Sequence, residues 1–364
     1  ALGPIVGGLL VEHVSWESVF FLNLPIAAIA LVIGMAVLAE SRSSAEQHAD
    51  IPGIALLAAG LFAIVFGLIK AQEWGWGSAN TLGFLAGGIV LLVAFGVVEA
   101  RTRFALLPMR LFRNRSLSIG TITILVGFLG MFGVLFFLTL YLQNVHGYSP
   151  VQAGVRLLPL SLSMMFGSPL GGILTEKFGP RPPLVVGLAL LGAALLLMTG
   201  LEPDSSYSAL WPSLVMVGIG LGLVITASAE AIVGNAPVDD AGVASGLQST
   251  AIQVGGVMGT AILGSILSST VGSVLFEKLT GAGVPAPLAH QLEGAKELVG
   301  QGAAPVQGVP ANLQSAVVTG SHEAFMTGLH TSMLVGAILA LAAAALALFV
   351  QGTENPGAAG VAAH

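Results

Sequence analysis

The sequence predicts an all-α fold, a polytopic bundle of membrane-spanning helices, and three observations predict it. The 364 residues are 55% hydrophobic and 8% charged, with a mean hydropathy of +0.92. A chain that covers itself with water carries roughly 25% charged residues, so lipid is the main solvent here. Apolar stretches long enough for a bilayer, which needs about 20 residues per helix, recur along the whole chain. Between them stand charged or Pro/Gly-rich turns.

The composition also excludes classes of function. The chain has no cysteine, which removes disulfides, thiolate zinc sites and thiol nucleophiles. A net charge of -6, with basic residues only in short clusters, argues against nucleic acid as a partner. No phosphate-cradling Walker sequence is present, so ATP is not hydrolysed here. No enzyme, metal or cofactor is expected.

The elements follow in order. The chain opens with "ALGPIVGGLLVEH", too short to span and expected to be the end of a helix whose beginning is absent. Nine full spans are expected at 18–39, 51–70, 80–99, 116–142, 150–174, 183–201, 209–233, 243–269 and 325–350. Orientation follows from Lys and Arg, which favour cytoplasmic loops. Arg42, Arg101, Arg103, Arg110, Arg113, Arg115, Lys177 and Arg181 fall in one set of alternate loops, eight of the twelve basic residues. That set is expected to be cytoplasmic, and with it the tail from 351 to 364. Residues 100–115, "ARTRFALLPMRLFRNR", form a basic cytoplasmic linker. Residues 270–322 are expected to form an outer loop of about fifty residues. Within it, Leu288, Leu292, Ala295 and Leu298 recur at helical spacing, an amphipathic helix ended by Gly300.

Glycine patterns suggest close helix packing. Gly3 and Gly7 lie four apart, and Gly8 widens their face; such small residues let helix backbones approach in lipid. Pro4 removes a donor and is expected to bend that helix. Gly167/Gly171 and Gly255/Gly259 repeat the spacing. "GIGLG", from Gly218 to Gly222, imitates part of a dinucleotide fingerprint, but it lies inside an apolar span and reads as packing.

Few charges fall inside spans. Arg156 lies about two turns into its helix and Glu230 about one turn before the end of its own. Both stand against the helix dipole. Intramembrane charge is costly and usually faces a cavity or partner. Arg156 is a cavity-lining or bridging candidate, with snorkelling to the interface as the alternative. Glu230 is a proton- or cation-binding candidate, with a solvated helix end as its alternative. Gln248 and Gln253, and Asn23 two residues before Pro25, are uncharged candidates. Phe128, Met131, Phe132, Met164 and Met165 are candidates for an adaptable apolar pocket.

Several motifs then occur in a fixed order. Gly3-Pro4-x-x-Gly7-Gly8 is followed by Ser15-Trp16, Phe20, Asn23 and Pro25. "GYSPVQAGVRLLPLSLSMMFGSPLGGILTEKFGPRPPL" follows from Gly147, then "DDAGVASGLQSTAIQVGGVMGTAILGSIL" from Asp239 and "AFMTGLHTSMLVGA" from Ala324. In this order the sequence resembles the major facilitator superfamily, in particular its fourteen-helix drug:proton antiporter branch of multidrug exporters. Gly172, Glu176, Lys177, Gly179 and Arg181 echo a superfamily gating loop, with Thr175, Glu176 and Lys177 as departures that keep its charge.

The resemblance implies a major facilitator bundle running from the end of helix five to helix fourteen, with the four N-terminal helices missing. Residues 1–41 would complete the N-terminal bundle. Residues 42–115 would hold two extra central helices and the linker, and 116–350 a six-helix C-terminal bundle. It implies export of small amphipathic drugs by proton antiport, through alternating access, by a monomer in the bacterial cytoplasmic membrane. A metabolite carrier of the same superfamily and a truncated, non-transporting membrane protein are the alternatives.

Overall fold

A computed structural model describes residues 3–37, 50–102 and 106–352. Arg42, Arg103 and the tail beyond Gly352 lie outside the described residues, as do the side chains of Pro4 and Ile5. The described residues are helical throughout, with nine helical segments long and apolar enough to cross a membrane.

The chain begins with α1 (Gly3–His13), a single turn α2 (Ser18–Phe21) and α3 (Asn23–Val37). No residue of α3 is buried, so its apolar surface suits lipid rather than a protein core. Next, α4 (Ile51–Trp74) and α5 (Ala79–Glu99) form an antiparallel hairpin. Asp50 caps α4 by accepting from the Gly53 N–H at 2.9 Å, and Ser78 caps α5 by accepting from the Thr81 N–H at 3.1 Å. Glycines set the hairpin's spacing. A Cβ at Gly88 would lie 2.6 Å from Ile64 Cγ1 and 3.0 Å from Gly60 O. The hairpin leans on the later bundle, where Trp76 Nε1 donates to Ser265 Oγ.

A linker containing a 3₁₀ turn, Met109–Arg113, leads to α6 (Arg115–Leu140), whose cap is Asn114. A π segment, Tyr141–Val145, ends it. Next come α7 (Pro150–Arg156), α8 (Leu158–Phe178), α9 (Arg181–Met198) and α10 (Tyr207–Val233). The next long crossing is α11 (Ala241–Met258), a π segment Gly259–Leu263 and α12 (Gly264–Gly281). Short helices α13 (Ala286–Leu292) and α14 (Lys296–Gly300) cap one end, and α15 (Ala311–Ala347) closes the chain. A clamp joins the segment after α15 to the beginning of α6: the Gln351 N–H donates to Ser116 Oγ at 2.9 Å, and Ser116 Oγ donates to Gln351 O at 3.2 Å.

Helix α10 is the hub of this bundle, and its "GIGLG" glycines make it so. A Cβ at Gly222 would sit 2.6 Å from the Gly167 C and the Ser168 N of α8. One at Gly220 would sit 2.5 Å from Gly187 O of α9. Gly167 in turn meets the Ile219 backbone at 2.9 Å, and Gly171 meets Leu223 Cα at 3.0 Å. On the other side of the bundle, Gly255 and Gly259 seat on the carbonyls of Leu125 and Leu129 in α6. The expected pairs Gly167/Gly171 and Gly255/Gly259 thus each hold two helix backbones together. Leu191, Leu195, Leu214, Val217, Leu221 and Leu267 lie in the core that fills the interior between them.

The expected loop over 270–322 is corrected. Helix α12 continues to Gly281 and α15 begins at Ala311. The polar stretch after residue 269 stays helical because Val271, Leu275 and Leu279 share one face and are fully buried. Gly320 lets α15 approach there, with Leu279 Cα 2.8 Å from where its Cβ would stand. The amphipathic helix is also broken by a 3₁₀ turn at Glu293–Ala295. It buries Val299, four residues after Ala295, rather than Leu298, which is 41% exposed.

Candidate functional site

The capped end of the molecule, where α13 and α14 lie, joins the opening helix to the long bundle. Helix α1 rests on α7. Gly8 makes the seat: a Cβ there would lie 2.9 Å from Pro150 O and 3.0 Å from Val151 Cα, both backbone atoms. Gly3 and Gly7 have nothing within 4 Å among the described residues. Of the expected face of Gly3, Gly7 and Gly8, the described residues press on Gly8, which lies about 100° further round the helix from Gly7.

One turn beyond Gly8, Glu12 reaches across. Its Oε2 accepts from Ser149 Oγ at 2.8 Å and from the Val151 N–H at 3.1 Å. Ser149, then the Val151 N–H, holds the Glu12 carboxyl below its ordinary range, with a smaller share from the charge of His13, and this exposed acid of α1 supplements the Ser149–Gln152 capping box of α7.

Arg156 lies in the same corner. Its guanidinium carbon stands 3.6 Å from the centroid of the Tyr148 ring and 6.0 Å from that of Tyr207. Nη1 donates to Gln152 O at 3.1 Å, and the Tyr207 O–H donates to Arg156 O at 2.9 Å. The His146 ring lies parallel to that of Tyr148, with 5.5 Å between centroids. Guanidinium, phenol and imidazole thus cluster where α7 meets the start of α10. The sequence places Arg156 against its helix dipole, and that is corrected. The helix breaks at Leu157, so Arg156 occupies the last turn of α7, where a cation is favoured. Burial holds the His146 imidazole below its ordinary range; Arg156 adds to the depression and Asp204 opposes it.

The remaining candidates are spread out. Asn23 is exposed and donates to Val19 O at 3.3 Å, at the start of α3. Glu230 is half-buried in the last turn of α10. Gln248 bridges α11 to α10, donating to Ile225 O at 3.3 Å and Ser228 Oγ at 3.4 Å. Gln253 is exposed on α11. Gly172, Glu176, Lys177 and Arg181 are exposed around the α8–α9 turn, where Gly179 adopts φ +78° and its N–H donates to Thr175 O at 2.8 Å. That conformation suits glycine. The structure therefore does not bring the candidates into one site.

It does reveal an uncovered polar face. Gly242, Ser245, Gly246, Ser249 and Gln253 are all exposed, and their spacing places them on one side of α11. Beside this helix the Phe132 ring lies 3.0 Å from where a Cβ of Gly256 would stand, and Phe128 stands 6.3 Å from Phe132, ring to ring. Small and polar residues on a crossing helix suit water or a solute better than lipid tails. Met165 is 53% exposed on α8.

The sequence reading passed over Glu12, Tyr148, His146 and Tyr207. Glu12 was open to notice as the one acid within the opening helix. As single residues the tyrosines suit an interfacial anchor, which does not predict a stacked guanidinium.

Comparison with known proteins follows this geometry. The family model described as Major Facilitator Superfamily matches residues 1–260. The Tetracenomycin C resistance and export protein of Streptomyces glaucescens is 43% identical over 97% of this chain and 66% of its own length. The Multidrug resistance protein Stp of Mycobacterium tuberculosis is 33% identical over 79% of this chain and 53% of its own length. The Multidrug efflux pump LfrA of Mycolicibacterium smegmatis is 31% identical over 95% of this chain and 67% of its own length. The chain thus spans about half to two thirds of the length of these relatives. With the match to the family model covering most of its residues, the chain belongs to the major facilitator superfamily.

Proposed function

We propose that this chain is the greater part of a secondary transporter that exports small amphipathic drugs or antibiotics in exchange for protons. The observation that carries the reading is the seat of α1 on α7. It places Gly8, the last residue of the Gly-Pro-x-x-Gly-Gly stretch, against the Pro150 carbonyl. Alternating access needs a contact that closes one face of the molecule and releases it in another state. A glycine against backbone is such a contact, since it excludes water without a side chain that must be repacked.

Two further features support export of amphipathic solutes. The exposed face of α11 offers hydroxyls and an amide but no charge, and Phe128 and Phe132 lie beside it. The relatives' names concern drug and antibiotic resistance or export. In this reading the basic linker is cytoplasmic, the capped end faces outward and the protein resides in the bacterial cytoplasmic membrane. Glu230, Gln248, Gln253 and Asn23 remain candidates for contact with solute or proton, Arg156 for bridging the outer closure, and Gly172, Glu176, Lys177, Gly179 and Arg181 for gating.

The test is accumulation of several cationic dyes in cells expressing the full-length protein. Lower accumulation, abolished by a protonophore, is the expected result. Unchanged accumulation across all the dyes sinks the drug-export reading. Net uptake of a sugar or an acid instead favours the metabolite carrier.

A further inference from the structure

At the linker end of the α4–α5 hairpin two carboxyl groups face one another. Asp50 stands just before α4 and Glu99 is the last residue of α5. Antiparallel pairing brings these positions together. Each carboxyl has one oxygen occupied: Asp50 Oδ1 accepts from the Gly53 N–H at 2.9 Å, and Glu99 Oε2 from the Leu107 N–H at 3.3 Å. The other two, Asp50 Oδ2 and Glu99 Oε1, are buried and have no partner among the described residues. Both crowd the same point above Gly53, where a Cβ would collide with Asp50 Oδ2 and stand 2.7 Å from Glu99 Oε1. Glu99 as a whole is only 3% exposed.

Two ionised carboxylates cannot satisfy each other, because both only accept. Buried, they would also repel, and such pairs keep a proton. Among the described residues, no cation on the neighbouring elements takes the place of that proton. On α4, Lys70 pairs with Glu73 at 2.5 Å near the other end. On α5, Glu99 is the only ionisable side chain. In the linker, Arg101 is exposed and Arg110 pairs with Asp240, beside α11, at 2.8 Å. Among the described residues no group of three or more metal-ligating side chains occurs.

We propose that Asp50 and Glu99 hold one proton between them, so that the base of the hairpin is a proton-binding site. One carboxyl donates its O–H to the other's orphan oxygen, which satisfies both. The half-buried Asp50 gives the proton its route to solvent. When the proton leaves, two negative charges face each other and the Glu99–Leu107 contact is released. The linker is then held at Arg110–Asp240 but no longer at Leu107, so protonation sets how firmly the hairpin grips the linker. The site does not depend on what the protein transports.

The experiment is infrared spectroscopy of the purified full-length protein in nanodiscs, read at the C=O stretch of protonated carboxylic acids. Wild type, Glu99→Gln and Asp50→Asn are compared at neutral pH. Both variants keep shape and hydrogen bonding, and a monodisperse elution profile checks their folding. The wild type should show a protonated-carboxyl band that both variants lose. In parallel, Leu107→Cys should become several-fold more reactive to a maleimide as pH rises through the titration of that band. The same cysteine in a Glu99→Gln background supplies the control for ordinary thiol chemistry. Identical spectra in wild type and variants overturn the proposal. So does a band whose titration moves with potassium but not with matched choline, since the pair would then be a metal-cation site.

Discussion

Gly7 and Gly8 are neighbours in one glycine-rich stretch, yet alanine should be tolerated at one and not at the other. At Gly8 a methyl group would stand 2.9 Å from Pro150 O and 3.0 Å from Val151 Cα. Ordinary contact begins near 3.4 Å, so α1 and α7 must part by roughly 0.5 Å at that point. Both obstacles are backbone, which cannot rotate away. Overpacking of this kind costs about 1–3 kcal/mol, which corresponds to roughly a 5–150-fold shift in a two-state equilibrium. At Gly7 there is nothing within 4 Å among the described residues. Both changes gain the same helix propensity, about 1 kcal/mol, so their difference isolates the contact. The chain has no cysteine, and Val151→Cys therefore reports alone. Labelling by a membrane-impermeant maleimide should rise several-fold in Gly8→Ala and stay at the parent rate in Gly7→Ala. Equal labelling in the two variants would refute the argument that Gly8 makes the closure.

Three further outcomes are expected. Gly222→Val should destabilise the bundle by about 1–3 kcal/mol or more, because its first carbon meets the Gly167–Ser168 backbone at 2.6 Å; thermal unfolding in detergent measures it, with Gly242→Ala, which has open space, as the neutral comparison. Arg156→Lys keeps the charge but loses the flat stack on Tyr148, a loss of about 0.5–1 kcal/mol; a double-mutant cycle with Tyr148→Leu should show the two changes to be non-additive. His146 sets a pH dependence. Its folded-state pKa lies below the unfolded one, chiefly through burial, so above about pH 6.5 both states are neutral and the group adds no slope. As pH falls below that value the unfolded chain takes up the proton first, and stability declines until the folded ring is protonated too. Midpoint temperatures measured down to about pH 5 should fall in wild type, and His146→Gln should flatten that part of the curve.

Much of the fold was legible because bilayers impose simple rules. Span length and turn composition located the crossings to within a few residues for most helices. Glycines spaced by four share a helix face whatever the fold, so Gly167/Gly171 and Gly255/Gly259 could be read as packing before any partner was known. Hydropathy failed where burial came from protein rather than lipid. After residue 269 the average falls, yet Val271, Leu275 and Leu279 form a fully buried stripe. The periodicity was present and the polar residues between hid it. Pro159 carried the signal for the break at Leu157, since a proline has no N–H to donate to the carbonyl four residues before it, that of Val155. That break reverses the electrostatic reading of Arg156.

The site was less legible, for a geometric reason. Spacing says which residues share a face but not which face is pressed. Gly3 and Gly7 share one, and the structure uses Gly8, about 100° away. Chemistry that needs two chain segments is further still from the sequence. Asp50 and Glu99 are ordinary as single residues, a helix cap and an acid at a helix end. Their significance arises only when α4 and α5 pair antiparallel and leave one oxygen of each without a donor. The same holds for Arg156 of α7, whose partners Tyr148 and Tyr207 come from a loop and from α10. In a membrane bundle, then, the glycine that permits an approach can be read locally, while the polar group that uses it can be read only once topology has chosen its neighbour.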